Sequence, residues 1–115
     1  EDSEARRSKL MKILYDQGIV VICAGLSNYP KWRKWCKNNI ADYTEIYLKV
    51  EQEVLINRDA KGIYKKCLDG EINNVVGMDI KFEEPESSNL VINNDGIKSP
   101  FQVANDILCF LDSIK

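Results

Sequence analysis

The chain has 115 residues, a length that allows one small domain with a single hydrophobic core. Its formal net charge of −2 provides no overall electrostatic attraction to nucleic acid or to an anionic membrane surface. No apolar run approaches the roughly 18 residues that a membrane-spanning helix requires, and no signal peptide is visible. We therefore expect neither nucleic acid nor a membrane among the partners.

The histidine and cysteine content limits the metal sites and catalytic mechanisms that the chain can form. The sequence contains no histidine, and its four cysteines include no CxxC pair. This excludes the usual zinc motifs and every catalytic device that depends on histidine. The apolar neighbours of Cys23 and Cys109 predict that both are small core residues. Because nothing in the sequence indicates disulfides, we expect a reducing, cytoplasmic environment.

In chain order, the first predicted elements are a helix, a strand and a second helix. Residues 4–17 carry apolar side chains at helical spacing, and Gly18 is a suitable helix stop. Residues 19–24 form an unbroken apolar run, which is typical of a strand buried on both faces of a parallel sheet. Residues 25–28 then read as a loop, and a short helix is expected over 30–38.

The second half of the sequence predicts two more strands and three more helices. The predicted ranges are a strand over 43–50, a helix over 51–57, a basic helix over 60–68, a strand over 90–92 and a helix that begins at Ser99 and Pro100. Residues 71–88 are polar and irregular, and a loop of this length in a compact domain is usually functional or mobile.

The alternation of helices and strands predicts the fold class. It favours an α/β fold with a mostly parallel sheet and helices on both faces. In open sheets of this class, ligands bind beyond the carboxyl ends of the strands. This rule predicts that residues 25–28, 50–59 and 93–96 lie near one rim.

A motif near the middle of the chain carries a family resemblance. Residues 58–66 read RDAKGIYKK and resemble the lid motif RD-x-KGLYKKA of adenylylsulfate kinases. Residues 70–86 are similar to the family pattern GEI-x-x-FTGID-x-x-YE-x-P-x-x-PE that follows it. Upstream, residues 26–29 resemble the family's ISPY, and the helix at Arg6-Arg7 resembles RR-x-x-EVAKLF. The resemblance implies a three-layer P-loop kinase-type fold. Residues 1–115 would be the C-terminal portion of one domain, N-terminally incomplete, with a lid around 58–86.

The resemblance also implies an activity and its cofactors. It implies a kinase that uses ATP and Mg²⁺ to phosphorylate the 3′-hydroxyl of a nucleotide, with both cofactors held mainly by residues outside this chain. Arg58 and Lys61 would close over the triphosphate and neutralise charge on the transferred group. Gly62 would let the lid backbone bend, and Tyr64 belongs to the same motif. Without the resemblance, this segment would be interpreted as a basic surface helix.

The resemblance assigns further residues to the nucleotide substrate. These are Arg7, Asn28, Arg33, Val75, Val76 and Gly77. Ser27 matches the serine that the family pattern marks as a possible phosphoserine intermediate. The sequence shows no base beside it, so a hydrogen bond to substrate or a purely structural loop role stays open.

Several departures from the family pattern bear on the substrate. Val75 stands where the family has a phenylalanine that stacks on adenine, and Glu4 stands where it has an asparagine. A valine offers no aromatic face, and a carboxylate would repel an anionic substrate. With these substitutions, the sequence resembles a subgroup of the family that is linked to bacterial capsule synthesis and acts on cytidine diphosphoramidate. Trp32 and Trp35 could contact its smaller base, or could simply pack within the fold.

One expected motif does not occur. The phosphate-binding loop GxxxxGK[ST] is absent from the sequence, and the first residue is Glu1 rather than methionine. We expect the chain to be cut or processed at its start and not to turn over ATP alone. Three hypotheses stay open: an adenylylsulfate kinase of sulfate activation, a cytidine diphosphoramidate kinase, and a non-catalytic binding domain. An exposed sheet edge predicts association, with a homodimer as the expected assembly.

Overall fold

The computed structural model describes residues 1–115 and contains five helices and two strands. The helices are α1 (Asp2–Asp16), α2 (Pro30–Asn39), α3 (Gln52–Arg58), α4 (Ile63–Leu68) and α5 (Pro100–Ser113). The strands are β1 (Ile46–Lys49) and β2 (Leu90–Asn93). The chain divides into two compact units. Unit 1 comprises Glu1–Thr44 with Glu83–Pro85, and unit 2 comprises Glu45–Phe82 with Glu86–Lys115.

Unit 1 is built on the packing of α1 against α2. The helix α2 begins at Pro30, whose fixed φ suits the first helical position. Its inner face contributes the buried side chain of Cys36, and Ile40 is buried just beyond the helix end. Polar side chains are buried here as well, namely Glu4, Ser8 and Arg33. Buried polar groups require hydrogen-bond partners, so the interior of unit 1 is specified by polar contacts as well as by apolar packing.

The strand predicted over residues 19–24 is wrong. This segment forms no backbone ladder, and Val20 and Ile22 are 89% and 93% exposed. Cys23 is exposed too, which corrects its assignment to the core. An apolar, β-branched run favours extended backbone, but a strand exists only where a neighbouring strand supplies hydrogen bonds. The described residues provide no such neighbour for residues 19–24.

Unit 2 contains a two-stranded parallel sheet formed by β1 and β2. The register pairs Ile46 with Leu90 and continues through Lys49 with Asn93. Just before β1, the Glu45 N–H donates to the Asn89 side chain at 2.8 Å, and the Glu45 carbonyl accepts from the Asn89 N–H at 2.8 Å. This reciprocal pair aligns the two strand starts. The predicted α/β class with parallel pairing is confirmed, and the strand predicted over 43–50 is shorter than expected.

The helix α5 begins as its sequence predicts. The Ser99 hydroxyl accepts from the Gln102 N–H, and the Gln102 side chain accepts from the Ser99 N–H, which completes a capping box. The helix contacts β2, and the buried side chains of this part of the unit are Ile92 and Val103. Cys109 lies on the exposed side of α5, so its assignment to the core is also wrong.

The connection between α4 and β2 contains little regular structure. Residues 71–89 form no helix or named strand, as predicted, and their one bridge joins Val76 to Ile80. The predicted helix over 60–68 starts only at Ile63. The reason lies in the preceding turn, where the Gly62 N–H donates to the Asp59 carbonyl at 2.8 Å and Gly62 adopts φ +65.

Candidate functional site

The loop over residues 25–28 is held in unit 1 by arginines from both helices. Arg7 of α1 donates from Nη2 to the Leu26 carbonyl at 3.1 Å. Arg33 of α2 donates from Nη1 to the Ser27 carbonyl and from Nη2 to the Glu83 carbonyl at 3.4 Å. Arg33 is only 9% exposed, so its guanidinium supports the loop from within. Both arginines were predicted to bind substrate, and the structure gives each of them a loop-positioning contact.

Ser27 has a carboxylate partner that the sequence did not reveal. Its hydroxyl donates a hydrogen bond to Oε1 of Glu4, which is 7% exposed. Glu4 lies in the first turn of α1, 23 residues earlier in the chain. Sequence reasoning found no partner beside Ser27, and the structure supplies a carboxylate that accepts its hydroxyl proton.

Asn28 connects the same loop to the segment Glu83–Pro85 of unit 1. Its Oδ1 accepts from the Glu83 N–H at 3.0 Å. The structure therefore brings together four predicted site residues of unit 1, which are Arg7, Ser27, Asn28 and Arg33. We call these residues together with Glu4 the substrate-loop cluster. Their roles toward a nucleotide stay predictions.

The two tryptophans of α2 pack against each other. The rings of Trp32 and Trp35 meet edge to face with centroids 6.1 Å apart. The ammonium of Lys31 lies 5.6 Å from the Trp32 ring centroid, within cation–π range. The indole nitrogen of Trp32 is buried with no hydrogen-bond partner. This packing agrees with the structural interpretation of the two tryptophans.

The lid motif of unit 2 is organised by Asp59. Its Oδ1 accepts from the Tyr64 N–H at 3.1 Å, and its Oδ2 accepts from the Lys65 N–H at 2.8 Å. These are first-turn donors of α4 that have no partner within the helix. Desolvation raises the pKa of Asp59, but the hydrogen bonds from Lys65, Tyr64 and Ile63 outweigh it and bring the pKa below its ordinary value.

The cationic residues of the lid motif lie on the exposed side of unit 2. Arg58 ends α3, which follows β1, and its Nη2 is 3.0 Å from where a Cβ on Gly96 would stand. Gly96 belongs to the loop after β2, so Arg58 lies beside the carboxyl end of the parallel strands. Lys61 is exposed, and Tyr64, in the first turn of α4, is half-buried. This placement suits a phosphate-binding lid.

The predicted substrate residues Val75, Val76 and Gly77 form a tight turn in unit 2. The Asp79 carboxylate accepts from the Asn74 N–H and the Val75 N–H, both at 2.6 Å. These two bonds, with Asn74 first, lower the pKa of Asp79. Gly77 adopts φ +90, where glycine is favoured. All three residues are half-buried.

No three side chains of histidine, cysteine, aspartate or glutamate gather as a metal centre would require. None of the five helices combines the length and apolar character that crossing a bilayer demands.

Comparisons with known proteins agree with the lid motif. The family model for adenylylsulphate kinase matches residues 2–93. The cytidine diphosphoramidate kinase of Campylobacter jejuni is 43% identical over 93 residues, which cover 81% of this chain and 54% of that protein. The adenylyl-sulfate kinase of Thermodesulfovibrio yellowstonii is 36% identical over 113 residues, covering 96% of this chain and 56% of that protein. The chain spans about half the length of the curated relatives it matches.

A solved structure supports the same assignment. The crystal structure of APE1195 superposes with a TM-score of 0.77 and 29% identity, covering 99% of this chain and 66% of that chain. The fold is therefore that of the P-loop kinase-type α/β proteins. Within that class, the chain belongs to the adenylylsulphate kinase family. The family resemblance drawn from the lid motif is confirmed.

Sequence reasoning missed three acidic residues that shape the candidate site. The sequence predicts only a repulsive substitution at Glu4 and indicates no role for Asp59 or Asp79. For the two aspartates a local signal existed, because each lies four to six residues from the N–H groups it accepts. No local signal existed for Glu4, since its partner is 23 residues away.

Proposed function

We propose that this chain is the lid and substrate-loop portion of a kinase that transfers phosphate from ATP to the 3′-hydroxyl of a nucleotide. The observation that carries the proposal is the placement of Arg58 beside the loop after β2, at the carboxyl end of the parallel strands. Ligands of α/β proteins bind at that end, and phosphoryl transfer depends mainly on positioning and charge neutralisation. Membership of the family supports the same activity.

The cofactors belong to this proposal. ATP would supply the phosphoryl group, and Mg²⁺ would neutralise its charge when bound. The residues of this chain would contribute Arg58 and Lys61 from the lid, while the metal and most phosphate contacts would come from residues outside the chain. We further propose a cytoplasmic setting, which the four unpaired cysteines support.

Two nucleotide substrates remain in the proposal. Adenylylsulfate, the substrate of sulfate activation, is supported by relatives such as the adenylyl-sulfate kinase of Thermodesulfovibrio yellowstonii. Cytidine diphosphoramidate, associated with capsule synthesis, is supported by the 43% identical relative and by Val75, which offers no ring for stacking on adenine.

Removing the lid cation tests the proposed function. We expect Arg58→Gln to weaken binding of an ATP analogue by about tenfold or more, because a charge-assisted phosphate contact is lost. The measurement is isothermal titration calorimetry. Lys66→Gln is the matched control, since Lys66 is an exposed cation of α4 and also part of the basic segment. If the two variants bind the ATP analogue with equal affinity, Arg58 has no specific role. The segment would then act only as a basic surface helix.

A further inference from the structure

The hydrogen-bonded side chains of Ser27 and Glu4 in unit 1 offer a ligand oxygen atoms that accept hydrogen bonds. A carboxylate has acceptor oxygens and no proton to donate, so the shared proton belongs to the Ser27 hydroxyl. The Ser27 oxygen keeps acceptor capacity, because a hydroxyl has two lone pairs. With its only proton committed to Glu4, Ser27 has none left for a ligand. The pair therefore presents acceptors and no donor.

We propose that the Ser27–Glu4 pair is a specificity-determining element that selects a hydrogen-bond donor on the nucleotide and rejects an oxyanion at the same place. The inference rests on the proposed nucleotide-binding function and adds to it the chemistry of one substrate group. An amino or hydroxyl group can donate to the Ser27 oxygen. A phosphate or sulfate oxygen would find no proton there and would face the charge of Glu4.

Burial of Glu4 strengthens this selection. The side chain is only 7% exposed, so water screens its charge poorly. A ligand oxyanion beside Ser27 would place two negative charges close together in that environment. Arg7 and Arg33 attract an anionic nucleotide to the cluster as a whole. Each donates to a loop carbonyl, Arg7 to that of Leu26 and Arg33 to that of Ser27, which fixes where these positive charges lie.

Two groups on the proposed substrates could supply the donor. One is the terminal amino group of a nucleoside diphosphoramidate, and the other is the hydroxyl of the sugar. Two ligand pairs distinguish them. Cytidine diphosphoramidate and CDP differ by an amino group in place of an oxyanion. CDP and 3′-deoxy-CDP differ by the sugar hydroxyl alone.

The experiment compares binding of both ligand pairs by isothermal titration calorimetry. We expect the unmodified chain to favour the donor-bearing member of one pair by about tenfold, the upper end of the range for a hydrogen bond between uncharged groups. In Glu4→Gln the amide can donate as well as accept, and the preference should fall to about threefold or less. Asp2→Asn is the matched control, because it removes a charge from the same helix at an exposed position. It should keep the full preference.

A second variant keeps the test informative if Glu4→Gln does not fold. Ser27→Ala removes the acceptor itself and should abolish the same preference, with circular dichroism confirming that each variant is folded. The variant that combines Glu4→Gln with Ser27→Ala should show no further loss of ligand preference, because the two side chains act as one unit. An unchanged preference in Glu4→Gln and Ser27→Ala, or no preference in the unmodified chain, would overturn the inference. If the unmodified chain binds none of the nucleotides, the proposed function fails, and the inference fails with it.

Discussion

At the scale of single residues, Asp59 links pH to the order of the lid. Its folded pKa lies below its ordinary value of 3.8 because α4 donates backbone hydrogen bonds to the carboxylate. A depressed pKa means that the stabilisation is fully present above the ordinary pKa and is lost as pH falls through the lower folded value. We expect a carboxyl ¹³C titration by NMR to give a midpoint for Asp59 below 3.8. A midpoint at or above the ordinary value would show that these bonds do not persist in solution.

The same contacts predict the effect of substitution. Asp59→Asn retains one acceptor oxygen but loses the charge that caps α4. We expect amide hydrogen exchange at Tyr64 and Lys65 to accelerate about fivefold, the scale of a weakened helix cap. Asp69→Asn, at the other end of the helix, is the control and should leave these two amides unchanged.

The thiols differ in their reactivity for a structural reason. Burial raises the pKa of Cys36, and the neighbouring Cys23 and Glu4 raise it further, while a hydrogen bond with Ser8 opposes them. Cys23 and Cys109 are exposed. Since the thiolate is the reactive form, iodoacetamide at neutral pH should label Cys23 and Cys109 before Cys36. Mass spectrometry of a labelling time course measures the order, and early labelling of Cys36 would contradict its burial.

At the scale of elements, residues 19–24 are an apolar segment without a partner. The side chains of Val20 and Ile22 are almost fully exposed, so they contribute little to the stability of the isolated chain. Replacing both with threonine should leave the free energy of unfolding unchanged within about 0.5 kcal/mol. Val103→Ala removes a buried side chain and should cost roughly 1–3 kcal/mol. Urea unfolding monitored by circular dichroism provides both values.

The same segment bears on association. Exposed apolar segments can pair with other chains, and a homodimer remains our prediction for the assembly. Analytical ultracentrifugation should show a larger average mass for the unmodified chain than for the variant with threonine at Val20 and Ile22. A monomeric unmodified chain would show that residues 19–24 do not drive association.

At the scale of the whole molecule, the sequence contains no GxxxxGK[ST] loop, the motif that cradles phosphates in P-loop kinases. We expect the 115-residue chain to form no ADP from ATP above the buffer rate, even with Mg²⁺ and a nucleotide acceptor present. An assay that couples ADP formation to NADH oxidation tests this. Turnover abolished by Arg58→Gln would show that the chain catalyses transfer by itself and would contradict the expectation.

Sequence alone determined the features that depend on neighbouring residues. The capping box at Ser99, the start of α2 at Pro30 and the lid motif are local, because helical hydrogen bonds close within a few residues. The family followed from the spacing of residues 58–86. Long-range contacts were decided only by the tertiary structure. Glu4 meets Ser27 across 23 residues, and Arg33 is buried against the carbonyls of Ser27 and Glu83. The apolar run 19–24 stays unpaired because a strand requires backbone partners that its own sequence cannot provide.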